Sequence, residues 1–174
     1  MGLLASFHAI DDATLASSMN LDEDELIEYI EEFCDDDDVP DYDMDKNWDM
    51  LHFVLTGVSA SRPIRGNPLS QAIVGMRPYD VESFISAIPA DDVQRILGVL
   101  RVVKFDTLRG RCDLALFRKH NLYPMLAETT KREEDRLWDT LADEFRSLIG
   151  FYSDAPAHRR NVIVSIYGAM RVTD

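Results

Sequence analysis

Asp49 and His52 stand three residues apart, with Trp48 and Leu55 beside them. At that spacing two side chains meet on one helical face, and a carboxylate that fixes an imidazole is what a general base requires. They are the candidate catalytic residues. A buried helical histidine held by one hydrogen bond gives the same spacing without chemistry, and Lys46 offers Asp49 another partner. The scaffold reading is simpler, so no catalytic residue is assigned. Further on, Arg62 and Arg65 lie in a loop with Pro63, Gly66 and Pro68. Guanidinium groups on such a loop can take an anionic ligand, although unliganded surface arginines are the plain alternative. Ser59 and Ser61 follow Gly57, but an esterase elbow needs Gly-x-Ser-x-Gly between a strand and a helix, and here a helix comes first.

Metal chemistry has weaker support. Asp41, Asp43 and Asp45 alternate like the first ligands of a calcium loop, yet Lys46 takes the place of the required glycine and His52 that of the bidentate glutamate. His8, His52, His120 and His158 are scattered, and neither Cys34 nor Cys112 has a companion at ligand spacing. No metal site and no cofactor is expected. Two distant thiols in a chain large enough for its own core read as reduced cysteines in a cytoplasm.

Charge is the most uneven property of the chain. Residues 1–45 hold 16 acids and no Lys or Arg, while the remainder carries 18 cations against 16 acids; the net charge of -14 thus divides into -16 and +2. Such a segment repels nucleic-acid phosphate and anionic lipid, so neither nucleic acid nor a membrane is an expected partner, and a basic protein suits it better. Asp35, Asp36, Asp37 and Asp38 are the candidate partner-binding residues. Arg95, Arg101, Lys104, Arg109, Arg111, Arg118 and Lys119 form a basic stretch with Phe105 and Phe117 among them. Asp91, Asp92, Asp106 and Asp113 dilute it, so it is expected to face the acidic helix of residues 22–32, within the fold or across a homodimer.

The elements that would position these residues follow from periodicity. Residues 3–10 alternate as a short strand stopped by Asp11 or Asp12. Asp22 opens a helix with Leu26, Ile27, Ile30 and Phe33 inward and acids outward, and the run Asp35 to Asp38 closes it. A solvated loop should continue to about Asp45, which caps a helix through Trp48, Leu51, His52 and Leu55 that Gly57 ends. Residues 72–75 and 80–88 read as β-prone or irregular. Residues 90–103 read as a helix, Asp113 starts a short one that Pro124 limits, and Thr130 with Glu133 has capping-box spacing before a long helix to Tyr152. Residues 161–168, rich in β-branched side chains, read as a closing strand able to pair with the first. The fold expected is α+β: one domain over residues 1–174, with a small sheet holding the N- and C-terminal strands, packed by several helices. No apolar run approaches a membrane span, and the N-terminus lacks the cationic lead of a secretory signal.

Several segments together resemble the YfbM-like family of small bacterial proteins, whose biochemical role is unassigned. They are Met1-Gly2-Leu3-Leu4, Asp45-Lys46-Asn47-Trp48-Asp49, Leu51-His52-Phe53, Leu55-Thr56-Gly57, Pro68-Leu69-Ser70 leading to Gly75, Tyr123-Pro124, Phe151-Tyr152 and Asn161-Val162-Ile163-Val164. The resemblance implies an α+β fold with the terminal strands in one sheet, and it brings no catalytic residues. Met125 stands where glycine is usual after Tyr-Pro, and the Asp35 to Asp38 run is denser than the family's pattern. The function expected is a non-enzymatic protein-binding or regulatory domain, inhibitor- or immunity-like, with carboxylates imitating a phosphate backbone. The alternative is a small hydrolase using Asp49 and His52, with Arg62 or Arg65 holding an anion.

Overall fold

The computed structural model describes residues 2–126, 130–155 and 160–168. The strand expected at the N-terminus is β1 (Leu3–Ile10), and its sheet partner is the closing strand β5 (Asn161–Gly168). The two pair antiparallel along their whole length, from Leu3 opposite Gly168 to Ile10 opposite Asn161. They form the middle of a five-stranded antiparallel sheet that also contains β2 (Asp41–Asp45), β3 (Arg77–Pro78) and β4 (Phe84–Ile88), in the order β2-β1-β5-β4-β3.

Alternation along the strands divides the apolar side chains between two faces. On one face Ile10, Ile85 and Ile163 meet Leu26, Ile30 and Phe33 of helix α2 (Glu23–Cys34). Each such buried side chain stabilises the fold by about 1.5–3 kcal/mol, so α2 holds its place on apolar contact while its outer face stays acidic. A short helix α1 (Asp12–Ser18), capped by Asp11 accepting from Thr14 N–H, lies beside it. On the other face Phe7, Val162 and Val164 meet the larger core. That core is built by α3 (Trp48–Thr56), α4 (Pro68–Val74), α5 (Ala90–Val102), α6 (Leu114–Lys119) and α7 (Lys131–Asp154), with a 3-10 turn at Phe105–Arg111. The fully buried Tyr152 of α7 donates its hydroxyl hydrogen to Ala72 O at 2.7 Å, tying α7 to α4.

Four expectations are corrected. The expected solvated loop before Asp45 ends in β2: Tyr42 and Met44 turn inward while Asp41, Asp43 and Asp45 stay in solvent, so the strand keeps its charges hydrated. Asp45 does not cap α3; it has φ 50°, and Asn47 takes the cap position. Residues 72–74 are helical, because Asn67 accepts from Leu69 and Ser70 N–H and Pro68 supplies a preset first turn to α4. Within the chain the basic stretch does not face α2, because the sheet separates them. Arg95 pairs with Asp92 at 3.3 Å and Arg109 with Asp135 at 2.5 Å, while Arg111 donates to the last-turn carbonyls of α3. The other elements stand as expected, including the Asp22–Glu25 and Thr130–Glu133 capping boxes and the left-handed Gly57 that ends α3. Among the described residues no helix is long and apolar enough to cross a membrane.

Candidate functional site

Helix α3 presents Asp49 and His52, but no hydrogen bond joins them. His52 is wholly buried. Its Nδ1 lies 2.8 Å from Val58 O, which can only accept, so Nδ1 carries the proton. Nε2 then accepts from the Ser70 hydroxyl at 2.7 Å, and Ser70 Oγ in turn accepts from Ile64 N–H at 3.0 Å. Burial holds the imidazole below its usual pKa, against weaker opposing effects from the Val58 hydrogen bond and the Asp49 charge. His52 is therefore a neutral post that pins the loop after α3 to helix α4.

Asp49 points its bonds elsewhere. Its carboxylate accepts from Ala60 N–H at 2.7 Å, Tyr123 N–H at 2.8 Å and the Ser59 hydroxyl at 3.0 Å, and among the described residues it forms no ion pair. A buried carboxylate held by dipoles alone needs several donors to offset its lost hydration. Here it staples α3 to two loops. Around it, Trp48 stacks on Tyr123 at 5.4 Å, Trp48 Nε1–H donates to Leu3 O at 3.3 Å, and the Tyr123 hydroxyl accepts from Leu3 N–H at 2.6 Å. Tyr123-Pro124 is a cis peptide. A Cβ on Gly2 would come within 2.6 Å of the Tyr123 hydroxyl oxygen, which leaves that position to glycine. Gly2, Leu3, Trp48, Asp49 and Tyr123, all among the residues that carry the family resemblance, thus meet in one structural node.

Arg62 and Arg65 are exposed, and they separate in role. Arg65 borders a crevice of about 410 Å³ between the loop after α3, helix α4 and the β3–β4 hairpin; Arg62 is not among the residues that line it. Sequence spacing could not show that Ser70 and Ser86 would line this crevice beside Arg65, since chain folding alone brings them there. Gly75 was the available signal. It has φ 75°, and a Cβ there would sit 2.3 Å from Ser86 Oγ. Gly75→Ala should cost about 1–3 kcal/mol from the backbone alone, read as a lowered urea midpoint; an unchanged midpoint would show that the turn relaxes.

Asp35, Asp36, Asp37 and Asp38 are all exposed in the turn between α2 and β2. Strand β2 lays Asp41, Asp43 and Asp45 along the sheet edge and does not wrap them round an ion. Among the described residues no three His, Cys, Asp or Glu side chains are grouped to hold a metal. His158 lies outside the described residues. Cys112 is buried, and burial pushes its thiol up to about 11, so it stays protonated and unreactive at neutral pH.

The architecture defines a class: an α+β domain whose terminal strands form the middle of one antiparallel sheet. The family model described as "Domain of unknown function (DUF1877)" matches residues 1–165, and the chain belongs to this YfbM-like family. Protein YfbM of Escherichia coli (strain K12) is 25% identical over 154 residues, covering 87% of this chain and 90% of that protein. The crystal structure of YfbM from Escherichia coli, a protein of unknown function, superimposes with a TM-score of 0.81 at 21% identity, over 94% of this chain and 99% of that one. That likeness shows the fold.

Proposed function

We propose that the protein is a non-enzymatic binding domain, inhibitor- or immunity-like, that holds a basic protein on the acidic surface of α2, the Asp35 to Asp38 turn and the edge strand β2. One observation carries the reading. The 14 acids of residues 22–45 form no ion pair with any described residue, although the chain has 18 cations. Their mutual repulsion is a standing cost that a cationic partner relieves, and a single-signed face speeds the encounter with such a partner. The reading places the protein in a cytoplasm. The hydrolase alternative loses its base, because His52 has both ring nitrogens committed to scaffold bonds and is closed off from solvent.

The test is capture from the native cytoplasm on immobilised protein. The recovered partner should be basic, its purified form should bind directly, and replacing Asp35, Asp36, Asp37 and Asp38 together by Asn should weaken it by about tenfold or more. Undiminished binding by that variant removes the proposal.

A further inference from the structure

The crevice beside Arg65 lies at the edge of the sheet opposite β2, and its lining has two characters. Ile64, Val74, Met76, Pro78 and Phe84 make an apolar wall. Val74 and Phe84 continue it into a smaller apolar hollow of about 120 Å³ that reaches Leu3, Trp48 and Ile166. Phe84 and Leu3 are among the few large apolar side chains exposed among the described residues.

Against that wall stand three donors. Arg65 forms no ion pair or hydrogen bond through its side chain among the described residues. Gln71 gives its amide oxygen to Arg95 at 2.7 Å, which leaves the amide NH2 as its outward-facing chemistry. Ser86 is 1% exposed and lines the crevice, yet its hydroxyl has no hydrogen-bond partner among the described residues. The Ser86 oxygen is open to water in the crevice, and a ligand oxygen would take that water's place. Gly75 keeps the space over Ser86 open, since any larger residue would strike its Oγ.

We propose that this crevice binds a small carboxylate bearing an apolar tail: the carboxylate meets Arg65, Gln71 and Ser86, and the tail lies along Val74 and Phe84 toward Trp48. Donors and one cation at one end select an anionic acceptor even in a protein of net charge -14, and the wall selects hydrocarbon. The Ser70–His52 bond holds the loop that carries Arg65 against α4, so the site is formed before the ligand arrives.

Hexanoate and hexylamine, of equal length and opposite charge, are the probes, read by amide chemical shifts of the intact protein. Hexanoate should give saturable shifts at Gly66, Gly75 and Ser86, and hexylamine none there. Arg65→Gln, an exposed change that leaves folding intact, should weaken hexanoate by about fivefold or more; Ser86→Ala should weaken it by about twofold or more, as it breaks no bond within the chain. Absence of saturable shifts, equal binding of hexylamine, or unchanged affinity in Arg65→Gln overturns the site.

Discussion

Asp49→Ala should lower the unfolding free energy by about 3–5 kcal/mol, because three donors lose their acceptor and each buried unpaired group costs about 1–3 kcal/mol. The variant leaves Ala60 N–H, Tyr123 N–H and the Ser59 hydroxyl without an acceptor in a region water does not reach, since Asp49 is 3% exposed. Asp49→Asn should cost about 1–3 kcal/mol despite its matching size: it retains one acceptor oxygen but turns an NH2 toward a backbone N–H that can only donate. The check is equilibrium urea unfolding followed by far-UV circular dichroism. A loss below about 1 kcal/mol in both variants would mean that the three donors find other acceptors or water, and the staple role assigned to Asp49 would fall.

The second large effect is at His52. His52→Ala should cost about 2–4 kcal/mol, because it removes a fully buried ring together with its hydrogen bonds to the Val58 carbonyl and the Ser70 hydroxyl. The same residue sets a pH dependence whose sign follows from linkage. His52 and His8 are both held below the usual histidine pKa chiefly by burial, an effect that the Asp41 and Asp43 charges partly offset at His8. The unfolded chain takes up these protons near pH 6.5 while the folded chain does not. Stability is therefore complete above that pH and falls as the medium is acidified toward the folded-state values. A separate loss begins as the pH falls below the ordinary glutamate pKa of about 4.3, because the unfolded chain takes up protons there while Glu23, Glu133 and Glu134 are held lower by their hydrogen bonds. His52→Gln should reduce the upper step to the part due to His8 and leave the lower one. If wild type and His52→Gln decline in parallel between pH 7 and 5, the histidine is not buried neutral.

Much of the fold was legible because local chemistry and tertiary packing agree. The capping boxes at Asp22 and Thr130, the stripe from Trp48 to Leu55 and the β-branched run of β5 each specify the element that packing also demands. Where the two disagree, reading failed. Three aspartates in five residues argue against a strand, yet pairing with β1 and the inward Tyr42 and Met44 outweigh propensity in β2. Helix α4 is hidden in the sequence because Pro68 reads as loop punctuation, although Asn67 followed by Pro is itself a helix start. At the site, Asp49 and His52 were found but their partners were not. Ser70 lies 18 residues from His52 and Tyr123 lies 74 from Asp49, separations that periodicity cannot bridge. Ser86 and Gly75 likewise face each other only because a strand and a helix end converge.

The pairing of β1 with β5 governs the order in which the chain can assemble. A ribosome releases β1 more than a hundred residues before the segment that completes its hydrogen bonding, so the nascent protein waits with one side of its first strand open. Neither helical layer has a finished floor until that segment slides in between β1 and β4, and completion of the sheet thereby waits on the synthesis of β5.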